Sequence, residues 1–265
     1  MLLHEPGSIN YYTFDSFDPK GLTHAIFTRR GGVSPDPWSS LNVGGLRGDD
    51  PARVLENKTR CFQVLGRKIE SAYEVYQVHS ADVVCVKAPR PDNVSHIKAD
   101  AILTDQPGVS LFMRFADCVP ILLYDPFRHV IGVAHAGWLG TVRGIIKASV
   151  TTMHSVYQSN PENILAAIGP SIGPHHYEVG RDVISRVQET FGNDSSYLLK
   201  RAHPLSSQSD THFFDLWTAN RLLLEQSGVK QIEEADLCTA CHPEDWYSHR
   251  GEHGQTGRFG VLIAL

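Results

Sequence analysis

The sequence predicts an α+β fold in which mixed β-sheets form the interior and helices lie outside. Two observations carry that expectation. Apolar, partly β-branched runs at 111–115, 119–124 and 130–134 have the length and turn punctuation of buried strands. Apolar residues also recur at helical spacing in about four longer segments, beginning near Pro51, Thr141, Gly180 and Trp217. Periodicity of this kind does not set strand order. A chain of 265 residues can build one large domain or two small ones, and motifs near both ends point to a single domain spanning 1–265.

Leu22 to Thr28 reads as a strand feeding a Gly- and Pro-rich loop that begins Arg29-Arg30. A guanidinium there could pair bidentately with phosphate, the alternative being a solvated surface pair. The stretch Asn42 to Gly48, which includes Arg47, is a second glycine-rich loop and matches neither phosphate-loop nor dinucleotide fingerprints. Asp50 is placed to cap a helix that has Pro51 at its first position and runs to about Leu65, stopping at Gly66. Cys61 falls on its apolar side with Val54 and Lys58. Tyr73 to His79 and Asp82 to Ala88 read as a hairpin joined by Ser80-Ala81, with Cys85 facing inward, and 89–98 as a surface loop exposing His96. Ala99 to Thr104 is a further strand, closed by a turn at Asp105-Gln106-Pro107-Gly108. The three central runs then suit a hairpin buried within a sheet.

Beyond them, Ala136-Gly137-Trp138-Leu139-Gly140 leads into a helix over 141–158, whose unpaired N–H groups would suit a phosphate or a developing oxyanion. Asn163 to Ile168 is a strand entering the Gly-Pro loop 169–174. His175 and His176 follow; adjacent residues point to opposite faces in a strand, so they read as surface histidines. Helices are expected at 180–191 and, capped by Asp215, at 217–226 before Gly228, with a polar irregular stretch at 192–209 between them. Phe259 to Leu265 forms a last strand.

Formal charge is −5, from 24 Lys and Arg against 29 Asp and Glu. That balance offers no basic field for a nucleic-acid polymer. No run of about 18 apolar residues and no leader pattern appear, so a cytoplasmic protein without a membrane span is expected. Five cysteines, an odd number in a chain able to build an ample core, suggest free thiols or metal ligands instead of a disulfide framework. Cys238-Thr239-Ala240-Cys241-His242 has the spacing of a c-type haem attachment or of half a zinc ribbon. Haem is set aside for want of an export signal; a second metal site stays open because His249 and His253 lie nearby.

The reactive groups sit at strand ends. Cys118 and His135 belong to the central runs, and His79 closes the earlier one. A thiolate and two imidazoles converging from separate strands would make a three-ligand zinc site with an open fourth position. No compact metal-ligand motif links the three, and residue types alone point first to a small buried cysteine and two half-buried histidines.

The block Ala116-Asp117-Cys118-Val119-Pro120 followed by Ala134-His135-Ala136-Gly137-Trp138 resembles the signature of the YfiH/YlmD family, often labelled polyphenol oxidase or laccase-domain proteins. Further matches are Thr28 to Ser34, Ser40 to Gly44, Gln77-Val78-His79, Ala99-Asp100-Ala101, Tyr177 to Gly180 and Thr256-Gly257-Arg258, so the resemblance runs from about residue 20 to the C-terminus. It implies a four-layer α/β/β/α arrangement and a zinc-dependent purine nucleoside phosphorylase with adenosine deaminase side activity. Its metal ligands fall on His79, Cys118 and His135, and its partners are a purine nucleoside and phosphate. Arg29, Asn42, Arg47, Arg143 and Arg250 are the candidate substrate contacts. Against the family resemblance Cys241 looks incidental. The family usually carries Arg where this chain has Leu139, and Arg143, one helical turn on, is the substitute.

Three other chemistries use the same residues. Cys118 activated by His135 could serve a metal-free cysteine hydrolase or amidase, with Asp117 or His79 orienting the imidazole. A non-catalytic, metal-stabilised ligand-binding scaffold is a second alternative. Copper, the alternative ion, would imply oxidase chemistry; that is least favoured, because 14 histidines include no His-X-His pair and no His stands beside Cys118 and Met113 to complete a blue-copper set.

Overall fold

A computed structural model describes residues 1–17, 21–45, 48–91, 93–201 and 212–265. In chain order its elements begin with β1 (Leu2–His4), β2 (Tyr11–Thr13), β3 (Thr23–Phe27), α1 (Pro51–Val64), β4 (Ala72–Tyr73), β5 (Val83–Cys85) and β6 (Ala101–Thr104). The middle of the chain supplies β7 (Ser110–Phe115), β8 (Val119–Asp125), β9 (Val130–Ala136), α2 (Trp138–Arg143), α3 (Ile145–Tyr157) and β10 (Leu165–Ile168). The remainder is β11 (Glu178–Val179), α4 (Arg181–Phe191), α5 (Ser195–Leu198), β12 (Leu199–Arg201), β13 (His212–Phe214), α6 (Leu216–Gln226), β14 (Gln231–Glu234) and β15 (Phe259–Ala264).

The strands form two mixed six-stranded sheets, ordered β1-β2-β3-β15-β7-β4 and β14-β10-β8-β9-β6-β5, with a small third sheet β11-β13-β12. Side-chain alternation sorts the layers. Leu111, Met113 and Phe115 of β7 and Phe259, Val261 and Ile263 of β15 meet Leu122, Tyr124, Ile131 and Val133 of β8 and β9 in one core between the sheets. The opposite parity of the first sheet, Ala25, Phe27, Phe112 and Leu262, packs on Cys61 and Phe62 of α1. The opposite parity of the second sheet, Val119, Ile121 and Leu123 among others, packs on α3, α4 and α6. The result is the expected α+β fold in four layers, α/β/β/α. All seven residues of β8 and all seven of β9 are buried, which explains why these runs read as continuously apolar: strands covered on both faces need no polar side. No helix among the described residues is long and apolar enough to cross a membrane.

Local signals in the sequence mostly hold. The Asp50 carboxylate accepts the Ala52 N–H at the start of α1, and Asp215 accepts the Thr218 N–H at the start of α6. Four expectations are corrected. Residues 73–88 form no hairpin: β4 pairs in parallel with β7 in the first sheet, whereas β5 pairs in parallel with β6 in the second. Cys85, expected inward, is exposed at the end of β5. The helix over 141–158 starts earlier and is two helices, broken at Gly144, whose φ of +85° suits a residue without a Cβ. Finally, β7 and β8 lie in different sheets, and the turn Ala116-Asp117-Cys118 carries the chain from one sheet to the other.

Candidate active site and metal centre

That crossing decides where Cys118 sits. β8 begins one residue later and runs antiparallel to β9 with Pro120 opposite His135, so the thiol and the imidazole lie at the same end of one strand pair. His79 arrives from the 74–82 connection, which passes from the first sheet to the second. One potential ligand atom from each of His79, Cys118 and His135 falls within 4.8 Å of the other two. His79 Nε2 is 3.7 Å from Cys118 Sγ, and the two imidazole rings meet at 4.9 Å, 64° apart. Gly137 leaves space for this approach: a Cβ there would lie 2.7 Å from Cys118 Sγ and 3.0 Å from His79 Cδ2.

Asp100 organises the group. Its buried carboxylate accepts the N–H groups of Val78, His79 and Ser80 at 3.1, 3.0 and 2.6 Å, so three successive peptides wrap one side chain. The same carboxylate stands 2.9 Å from His135 Nδ1, which leaves Nε2 as the ring nitrogen that can face Cys118 or an ion. Arg143 donates to the His79 carbonyl at 2.9 Å, holding the strained backbone of that residue (φ +58°) from the other side. Burial would raise the Asp100 carboxyl, but the His135 and backbone hydrogen bonds outweigh it and bring it to about 2. For Cys118, burial is outweighed by the charge and hydrogen bonding of His135 and then of His79, and the thiol comes down to about 6. His135 moves the other way, to about 9, because the Cys118 charge and the Asp100 contact overcome burial.

This donor set fits a borderline-soft divalent ion: one readily ionised thiolate, two imidazoles, and a carboxylate behind one ring fixing its tautomer. The set opens on a cavity of about 440 Å³ lined by Gly44, Gly45, Tyr76, Gln77, Arg114, Ala116, His249 and Arg258 as well as His79, Cys118 and His135. That volume is in the range of small-molecule sites.

Of the other sequence-derived candidates, Arg29, Asn42, Arg143 and Arg250 lie outside this lining. Arg29 stacks on Tyr247 at 4.4 Å and donates to Glu252 at 3.0 Å and to the Ser39, Pro243 and Trp246 carbonyls, so its guanidinium ties loops together. Arg30 pairs with Asp245. Asn42 is buried, accepting from the N–H groups of Gly44 and Arg258 and thereby shaping the cavity wall. Arg143 acts on the His79 backbone, and Arg250 lies over Tyr177 at 5.3 Å while donating to the Glu178 carbonyl. Arg47 lies outside the described residues. Asp117 accepts from Thr239 Oγ1 at 2.7 Å and from the Arg250 N–H at 2.6 Å, so each of its oxygens is tied to the 239–250 segment, whereas the carboxylate that meets an imidazole of the group is Asp100. Among the described residues, the cavity's guanidinium groups are Arg114 and Arg258. Arg258 and Asp100 stand in stretches that carry the family resemblance, a signal available in the sequence; Arg114, inside an apolar strand run, gave none.

The chain matches, over residues 23–265, the family model described as "Multi-copper polyphenol oxidoreductase laccase". It is 40% identical over 244 residues to a Deinococcus radiodurans protein named purine nucleoside phosphorylase, covering 92% of this chain and 89% of that one. It is 34% identical to Escherichia coli purine nucleoside phosphorylase YfiH, over 93% and 95% of the two chains. The crystal structure of YlmD from Geobacillus stearothermophilus superposes with a TM-score of 0.90 at 33% identity, over 98% and 97% of the two chains. Sequence match and shared architecture together place this chain in the YfiH/YlmD family.

Proposed function

We propose that this chain is a zinc-dependent purine nucleoside phosphorylase acting on adenosine, inosine or methylthioadenosine, with adenosine deamination as a slower side activity. The observation that carries the reading is the convergence of His79, Cys118 and His135 on a cavity that also presents Arg114 and Arg258, in a chain whose relatives bear the phosphorylase name. His79, Cys118 and His135 would hold the ion. Zinc bound there would lower the pKa of a water to about 7 and polarise a phosphate or sugar oxygen as a Lewis acid.

The chain's own groups do the rest. Phosphorolysis forms a bond from a phosphate oxygen to C1′ and breaks the C1′–N9 bond, leaving ribose 1-phosphate and the purine, which takes up a proton. Arg114 and Arg258 line the cavity and would offer positive charge to phosphate, whose oxygens a guanidinium matches in pairs. Arg114 is itself held by its Nη2 donating to the Val75 carbonyl at 2.8 Å, so its orientation is set before substrate arrives. Tyr76, 43% exposed at the rim, offers a ring face for the purine. Deamination at C6 needs a carboxyl shuttle close to the ion; Asp117 is already engaged, which is why we rank that activity second. Two imidazoles and one thiolate would also suit copper; we rank oxidase chemistry last because, among the described residues, the cavity adds only His249 to His79 and His135, short of the many imidazoles of a multicopper cluster.

One observation favours a second reading. Cys118, drawn down to about 6 beside His135, has the character of a metal-free nucleophile. Adenosine incubated with and without phosphate, its products resolved by chromatography, separates these possibilities. Adenine appearing only with phosphate, and falling at least about 100-fold in Cys118→Ser, is the expected result. Turnover that survives metal stripping and is stopped by alkylation of Cys118 would replace the phosphorylase with the cysteine enzyme. Binding without turnover would leave a ligand-binding scaffold.

A further inference from the structure

A second group of metal-ligating side chains lies outside the cavity: His175, His176, Cys238 and Cys241, one potential ligand atom from each within 4.8 Å of all the others. His175 Nε2 is 3.1 Å from Cys241 Sγ, and His176 Nδ1 is 3.5 Å from the sulfurs of both Cys238 and Cys241. Tetrahedral zinc with bonds of roughly 2.0 to 2.3 Å holds its ligand atoms about 3.3 to 3.8 Å apart. The described distances cluster around those edges.

We propose that these four side chains form a structural zinc site of the Cys2His2 type, a staple between the 169–177 loop and the 238–242 turn. The backbone is shaped for it. Cys238 and Cys241 have the C-x-x-C spacing of a zinc knuckle, closed by the Cys241 N–H donating to the Cys238 carbonyl at 3.2 Å. The Gly173 N–H donates to Cys238 Sγ at 3.1 Å, a bond that suits a sulfur carrying negative charge. A Cβ on Gly173 would lie 2.6 Å from His175 Cε1 and 3.1 Å from Cys238 Cβ, so only glycine lets the loop fold back this far. The adjacent histidines converge because they stand in a turn, where the His176 and Tyr177 N–H groups both return to the Gly173 carbonyl; in a strand they would diverge. Four soft and borderline donors with no acidic oxygen among them favour zinc over calcium or magnesium.

The staple has something to hold. The two segments are otherwise joined by the Ser171–Cys238 bridge, and the next residue, Thr239, binds the Asp117 carboxylate beside Cys118. Fixing this knuckle therefore fixes one wall behind the catalytic thiol without touching the cavity.

The site is independent of the nucleoside reading, and metal stoichiometry tests each separately. The full chain, a variant lacking the cavity ligands (His79→Ala with Cys118→Ser) and a staple variant (Cys241→Ser with His175→Ala) are compared by elemental analysis after exhaustive dialysis. Metal-free samples are also titrated with zinc against a chromophoric chelator. Both positions of the staple variant are exposed, so their loss leaves packing intact. We expect about two zinc ions per native chain and about one in each variant, the staple variant melting roughly 5 °C lower. Cobalt loaded into the cavity variant should show a thiolate charge-transfer band, and adding Cys241→Ser with His175→Ala to that variant should abolish it. Native protein and staple variant holding equal zinc, with equal melting temperatures, would overturn the proposal. So would a Cys238–Cys241 disulfide in freshly purified protein that takes up no zinc after reduction. Failure of the cavity site alone would appear differently, as equal zinc in the native chain and the cavity variant.

Discussion

Asp100 shows how much one buried carboxylate can organise. It has no exposed surface, and it gathers the backbone N–H of His79 and the ring of His135 on one oxygen, Oδ1. Asn at this position keeps the size but turns an N–H2 group toward donors that need an acceptor. We expect Asp100→Asn to weaken zinc binding at the cavity about 10- to 100-fold, the usual cost of losing a carboxylate behind a histidine ligand. Competition with a chromophoric chelator reads that loss; unchanged affinity would mean that backbone geometry alone orients His135. At this scale the sequence was legible where residue type is informative, as at Cys118, His79 and His135, which the fold brings together. Arg29 misled because guanidinium groups bind carbonyls and carboxylates of their own chain as readily as phosphate.

Elements are held to one another by a few polar contacts crossing the layers. Lys58 on α1 reaches Glu74, which follows β4, at 2.8 Å, and Arg114 on β7 approaches the same carboxylate at 4.0 Å. Burial would raise the Glu74 carboxyl, but Lys58 and then Arg114 outweigh it and hold the group below its ordinary range. A carboxyl lower in the folded than in the unfolded chain adds stability that is complete above its unfolded value near 4.3. That stability is lost as pH falls through the lower folded value. Glu74→Gln should therefore cost about 3 kcal/mol at pH 7, with Lys58 left buried and unpaired, and the gap to the native chain should narrow on acidification below about pH 4. Urea midpoints at several pH values measure both; a constant gap would remove Glu74 as the titrating group. Cap residues made α1 and α6 readable from local sequence, whereas the supposed hairpin at 73–88 failed. Two β-type stretches separated by two residues satisfy the same local pattern whether they pair with each other or with strands of two different sheets.

Across the whole molecule, stability concentrates between the sheets. Phe259 is fully buried there, 5.9 Å from Phe115 and 5.1 Å from Trp246, and Phe115 in turn meets the His135 ring at 5.4 Å. Phe259→Ala should cost about 3 to 5 kcal/mol, seen as a lower denaturant midpoint with an unchanged slope. A negligible shift would mean that Trp246 collapses into the space. The early strands β1 to β3 and the late β15 share one sheet, a juxtaposition that no window of sequence contains. What the sequence determined by itself was the buried character of its central strands, the helix starts with their caps, and a cysteine and two histidines set at the ends of apolar runs, because each depends on neighbours a few residues away. Tertiary structure alone decided that β7 and β8 part into different sheets, that Arg114 and Arg258 face the cavity while Arg29 does not, and that His175 and His176 meet Cys238 and Cys241. Those outcomes depend on which face of each strand another layer covers, and that is set by contacts between residues scores to hundreds of positions apart.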